Sequence, residues 1–231
     1  YNKTEGKISA AAINTLGVLY IVENGNTVNS LEDLKGKTVY STGKGTTPEY
    51  ALNYLLTSNG IDPEKDLTVE YKAESTEVAA VLASTPDAIG VLPEPFVTVA
   101  KSKNENLRDA ISFGDEWKKI NGEELVTGVL IVRNEFLENN QGAFETFLSE
   151  YKASTEFTKS DLDAAAELVG KYEIVPAPVA KKAIPKSNIT FIAGDDMKAN
   201  LGAYLQILFD QDPKSVGGKL PGEDFYFMNQ K

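Results

Sequence analysis

From Lys37 to Phe113 the chain alternates short apolar runs with longer amphipathic ones, and this regularity limits the fold more than any other feature. The pattern predicts strands at 37–41, 67–72, 88–92 and 109–113, with helices at 48–59, 76–84 and 95–102 between them. Strands separated by helices of this length are joined by right-handed crossovers, which gives one compact α/β unit around a mostly parallel sheet. The punctuation agrees. Asn59-Gly60 suits a left-handed cap at the end of the first helix, and Thr85-Pro86-Asp87 separates the second helix from the next strand.

Material on either side of this unit points to a second one. Lys7 to Ile13 and Gly17 to Val22 read as strands, the second a nearly continuous apolar run of the kind buried on both faces. The polar stretch ENGNTVNSLEDLKGK then places a first boundary near Asn24 to Asn29. After Trp117, KKINGEE leads into LVTGVLIVR, a strong strand ending at Arg133, and a second crossing falls there. Beyond it the pattern is helical: Phe144, Phe147, Leu148 and Tyr151 share a face, as do Leu162, Ala165, Ala166 and Val169, and Met197, Leu201, Tyr204, Leu205 and Leu208. Two crossings enclosing one α/β unit describe a two-lobed clamp, with residues 1–28 and 121–231 in one lobe and 29–120 in the other.

Composition narrows the function. The 231 residues are 42% hydrophobic, enough for a sizeable core. Thirty-four acidic against 23 basic residues give a formal charge of -11, which repels phosphate backbones and anionic membrane surfaces and removes nucleic acid as a partner. No apolar run approaches the roughly 20 residues that span a bilayer, so this chain has no direct membrane insertion. It contains neither cysteine nor histidine. Thiolate sites, imidazole metal sites and Ser-His or Cys-His nucleophile pairs are therefore all excluded. Asp195-Asp196 reads as a helix cap and Asp210 to Pro213 as a helix stop, and neither matches a calcium loop. No metal and no cofactor is assigned.

One loop carries chemistry. If Val39 to Ser41 end a strand, TGKGTT lies at its carboxyl end, the side on which open α/β sheets bind ligands. Thr47 fits the N-cap, with Pro48 at the first helical position and Glu49 behind it. The free N–H groups of Gly45, Thr46 and the first helical turn, with the hydroxyls of Ser41, Thr42, Thr46 and Thr47, then suit an anionic or strongly polar group, and Gly43 is counted with them as a ligand position. Nucleotide motifs fail on spacing, because Lys44 precedes Gly45 and Pro48 stands where a dinucleotide fingerprint needs glycine. The same residues also fit a plain tight turn with a cap.

A second edge is LPEPF. Pro93 and Pro95 fix the backbone on either side of Glu94, which presents its carboxylate at a strand end as an acceptor for a ligand amine or hydroxyl; a rigid turn with a solvated Glu is the alternative. In the outer unit Asn14, Thr15 and Gly17, and then Thr127 and Gly128, interrupt apolar strands. They either face a cleft or mark bulges.

The run SLEDLKGKTVYSTGKGTTPEYALNYLLTSNGIDPEKDLTVEYK, with LPEPFVTVAK and VLIVRNEFLENNQGAFETFLSEYKAS, resembles the solute-binding proteins of bacterial ABC importers. The similarity is to the branch that includes sulfonate, nitrate and thiamine-pyrimidine binders. The resemblance implies a type II periplasmic-binding-protein-like clamp that is not an enzyme. It would capture a small polar molecule, such as a sulfonate, nitrate or aminopyrimidine, and deliver it to an ABC permease from an extracytoplasmic position, periplasmic or lipoprotein-anchored. By position it carries ligand contact to Ser41 to Thr47, to Glu94 and to Asn14 to Gly17. It also implies an amino-terminally truncated chain with one lobe incomplete, so that Ile13, Val18 and Tyr20 would be exposed or covered by another chain. An enzyme on the same scaffold, of a pyrimidine-synthesis kind and working through carboxylates, is the alternative.

Overall fold

A computed structural model describes residues 1–228. Strand β1 (Ile8–Leu16) passes through Gly17 and Val18 into β2 (Leu19–Asn24). Then follow β3 (Thr38–Ser41), α1 (Thr47–Ser58), β4 (Thr68–Tyr71), α2 (Ser75–Ser84), β5 (Ile89–Pro93), α3 (Phe96–Lys103) and β6 (Leu107–Ser112), the alternation read from the sequence. Helix α4 (Phe113–Asn121) leads to β7 (Val126–Arg133). The chain continues through α5 (Asn134–Ser160), α6 (Leu162–Lys171), α7 (Ala177–Ala183), β8 (Ile189–Ile192) and α8 (Gly194–Gln211).

One sheet has the order β4-β3-β5-β2-β6. β3 pairs in parallel with β4 and β5, while β2 runs antiparallel to both β5 and β6, so β2 alone is reversed. This corrects the first boundary. β2 belongs to the inner lobe, and the chain crosses at Gly17–Val18 rather than near Asn24 to Asn29. The physical reason lies in the run itself: Leu19, Ile21 and Val22 are all buried, and a strand apolar on both faces needs neighbours and cover on both sides. The central slot between β5 and β6 supplies them.

A buried carboxylate fastens this placement. Glu23 accepts from the Thr27 N–H at 2.8 Å, the Thr27 hydroxyl at 2.6 Å, the Val28 N–H at 3.1 Å and Arg108 of β6 at 2.8 Å. Burial alone would raise its pKa, but these bonds outweigh it and hold the group below the ordinary carboxyl value. Helix α4 also differs from expectation: it takes up Phe113, which the sequence pattern places in a strand, and the first half of the polar KKINGEE stretch. Ser112 caps it, accepting from the Asp115 N–H at 3.3 Å, and Phe113 and Trp117, four residues apart, are both fully buried.

The second sheet has the order β7-β1-β8 and is antiparallel throughout. On one face Ala11 and Val132 pack with Phe144 and Leu148 of α5. On the other, Ala10 and Ile13 join Met197 and Leu201 of α8. Ile13 is therefore buried, contrary to the expectation that it would be exposed; Val18 and Tyr20 are half-buried, and Tyr20 sits in the other sheet. The exposed apolar residues of this lobe include Val129 and Ile131 on β7, at 37% and 52%, along with Phe136 and Phe147 of α5 and Ile174. Val129 and Ile131 lie beside Ile13 and Ala10 in register, on the edge strand of this sheet.

Candidate functional site

The two sheets present their ends to one another where the chain crosses. β3 and β5 end at Ser41 and Pro93, β1 ends at Leu16, and β7 begins at Val126. Contacts around residues 16–18 tie these ends together: the Thr127 hydroxyl donates to the Leu16 carbonyl at 2.6 Å, and the Glu94 N–H donates to the Val18 carbonyl at 3.1 Å. Gly17 and Gly114 make the crossing possible. A Cβ on Gly17 would stand 2.6 Å from the Gly114 Cα, so the two backbones touch where a side chain would hold them apart.

The glycine loop folds as a tight, self-bonded turn. Gly43 and Gly45 have φ of +71° and +76°, in the left-handed region that glycine occupies without strain. Thr46, not Thr47, is the N-cap, and Pro48 is the second helical residue. The Thr46 hydroxyl donates back to the Gly43 carbonyl at 2.6 Å and caps nothing. Ser41 is fully buried, its hydroxyl turned to the Thr42 carbonyl at 3.3 Å. Thr47 receives a long contact, 3.5 Å, from the Tyr204 hydroxyl of α8. Thr42, Gly43 and Thr47 are partly exposed, and Gly45 and Thr46 exposed.

Sequence reasoning missed the role of Glu49. Its carboxylate accepts from the Gly45 N–H at 2.5 Å, so the seat offered to an incoming anion at the start of α1 already holds a negative group of the same chain. Tyr71, at the end of β4, lies against it. Burial first, then the Glu49 charge and a hydrogen bond to Glu49, push the Tyr71 phenol up. The Lys44 ammonium stands 5.7 Å from the center of the Tyr71 ring. The signal was on the page in the sequence, since a carboxylate four residues after a loop glycine reaches back to it readily.

Glu94 does not stand out from its strand end. It is 6% exposed, and its two oxygens accept from the Thr98 N–H at 3.2 Å and the Thr98 hydroxyl at 3.0 Å. The flanking prolines constrain the backbone, but the side chain swings back over the first turn of α3, where an N–H is free to meet it. Burial raises its pKa, and the Thr98 bonds and the Lys186 charge only partly oppose that.

In the outer lobe, the Asn14 amide donates to the Tyr151 hydroxyl of α5 at 3.0 Å, and the Thr15 hydroxyl donates to the Asn14 side-chain oxygen at 3.2 Å. Pairing of β1 with β7 slips between Ala10 and Ala12 and twice more near Thr15, so the interruption is a set of bulges. Gly128 makes room for it, because a Cβ there would come within 2.5 Å of the Asn14 Oδ1.

A polar cluster that no motif announced joins the lobes nearby. Asp109 of β6 accepts from Lys101 of α3 at 2.8 Å and pairs with Lys186, which lies between α7 and β8. Burial opposes ionisation of Asp109, but the two lysines prevail and hold its pKa low. Tyr20 donates to the Lys186 carbonyl at 2.9 Å; burial, then the charges of Glu94, Asp109 and Asp115, push its phenol up to about 12.

Comparison with known proteins adds the following. The profile of the family described as NMT1/THI5 like matches residues 8–165. An ABC transporter structure from Parabacteroides distasonis aligns over 100% of this chain and 77% of its own, at 24% identity and a TM-score of 0.81. The periplasmic aliphatic sulphonate binding protein SsuA from Escherichia coli aligns over 90% and 69%, at 17% identity and a TM-score of 0.71. A desulfurization enzyme, DSZB, aligns over 90% and 73%, at 12% identity and a TM-score of 0.61. These likenesses establish the two-lobed α/β fold. No curated protein matches the chain.

Proposed function

The chain belongs to the NMT1/THI5-like family, and from that premise we propose that it is the solute-binding component of an ABC importer, taking a small polar molecule between its lobes and passing it to a membrane permease from an extracytoplasmic position. The observation that supports this reading is the run of strand ends at the crossing: β3 ends at Ser41 and opens into the hydroxyl-bearing loop, and the bulged end of β1 leads through Gly17 into the inner sheet. Thr42, Gly43, Gly45, Thr46, Thr47, Asn14 and Thr15 are the proposed contact positions. Ser41 and Glu94 support them from behind, since both are buried, and Thr127 stands beside them with its hydroxyl on the Leu16 carbonyl. Closure of such a clamp draws its free energy from contacts that the ligand makes to both lobes. No helix among the described residues is long and apolar enough to cross a membrane. With no histidine or cysteine anywhere in the chain, carboxylate chemistry is what an enzyme reading would have to use.

The test is a thermal-shift screen against sulfonates, nitrate, aminopyrimidines, amino acids and small dicarboxylates. One class should raise the melting temperature progressively with concentration, without being consumed. Thr46→Ala should then weaken that response. Turnover of the stabilizing compound, or a Thr46→Ala and Asn14→Ala pair that binds it as tightly as the parent, would overturn the assignment.

A further inference from the structure

The lobes touch along two lines of opposite chemistry. On one side Tyr204 and Leu208 of α8 share a single apolar cluster with Trp117 of α4 and Leu52 and Leu55 of α1. The Trp117 and Tyr204 rings lie 5.7 Å apart. Parting this seam would return several large apolar side chains to water, which the hydrophobic effect opposes. On the other side α3 faces α7 across a groove of about 710 Å³ whose walls carry Lys101, Glu105, Lys182 and Lys186 beside the apolar Leu107 and Val179. The bonds that span the lobes there are polar: the Lys186–Asp109 pair and the bond from the Tyr20 hydroxyl to the Lys186 carbonyl. Groups of this kind exchange their partners for water at small net cost.

We infer that the α8–α4–α1 seam is the hinge line and that Lys186, reaching from the outer lobe to Asp109 of the inner one, is the latch that holds the α3–α7 side shut. The inference rests on the clamp reading above. Asp109 is well built for the task. Lys101 of its own lobe occupies one carboxylate oxygen and orients the other toward Lys186. The Tyr20 bond fixes the backbone from which the lysine projects. Lys101 and Lys186 differ in one decisive respect, because only Lys186 crosses between lobes.

The chain has no cysteine, so paired labels go only where they are placed. Nitroxides at Glu105→Cys and Lys182→Cys span the groove, and a second pair at Thr57→Cys and Gln206→Cys spans the apolar seam. Electron–electron resonance distances are then measured on the full chain without ligand. Lys186→Met should lengthen and broaden the groove distance beyond the width of the parent distribution, and Tyr20→Phe should move it the same way by less. Lys101→Met should leave it in place, and the seam distance should hold in every variant. A groove distance in Lys186→Met that superposes on the parent, an equal shift in Lys101→Met, or movement at the seam instead would each overturn the latch. Because no ligand is involved, failure of the solute-binding reading would appear in the thermal screen and not here.

Discussion

Glu49→Gln tests whether the start of α1 is already filled. The parent carboxylate accepts the Gly45 N–H at 2.5 Å and sits at the positive end of a 12-residue helix. A hydrogen bond to a charged group contributes about 1.5–3 kcal/mol, and a neutral acceptor roughly half of that. Loss of the charge also forfeits a helix-dipole term of about 0.3–1 kcal/mol. Gly45 is exposed, which places both contributions near their lower ends, so the substitution should cost about 1 kcal/mol. For a chain of this length that corresponds to a fall in Tm of about 2–4 °C. The second consequence is the sharper one. With residue 49 uncharged, the Gly45 and first-turn N–H groups no longer face a resident anion, so sulfate should stabilize Glu49→Gln more than the parent when compared with sodium chloride at equal ionic strength. Thermal melts of both proteins in the two salts read both effects. Equal melting temperatures together with an equal sulfate response would refute the idea that Glu49 fills the seat. A sulfate response in the parent as large as in the variant would do so as well.

Two further outcomes follow from the same geometry. Glu94 is held above its ordinary carboxyl value of 4.5, so between that value and the raised one the folded state binds more protons than the unfolded state, and stability falls as pH rises through the window. Glutamine can still accept from the Thr98 N–H and donate to its hydroxyl, so Glu94→Gln should melt above the parent at pH 7–8 and lose that advantage near pH 4; a gap that does not vary with pH would sink the explanation. Gly17→Ala should cost about 1–3 kcal/mol by overpacking, since its Cβ meets backbone at 2.6 and 3.0 Å, whereas Gly114→Ala places its nearest contact at 3.4 Å and should cost less; melts showing the reverse order would contradict the crossing geometry.

What the sequence by itself determined is the local order. Hydrophobic period and punctuation laid out the βα alternation from Lys37 onward, the turn at Asn59-Gly60 and the strand at Leu125 to Arg133, because these depend on residues within a turn or two of one another. The absence of histidine and cysteine likewise removed whole classes of chemistry before any contact was known. Only the tertiary structure decided which sheet would receive β2, since an apolar run buried on both faces demands neighbors without naming them, and the slot between β5 and β6 was made by residues 66 to 92 positions further on. The same holds for the site. Glu94 looked outward in sequence because the prolines beside it are local, but the Thr98 N–H that captures it becomes a free donor only once α3 exists. Asp109 and Lys186 lie 77 residues apart and meet only across the lobes, so their pairing belongs to the packing of α3 against α7 and leaves no trace in either neighborhood of the chain.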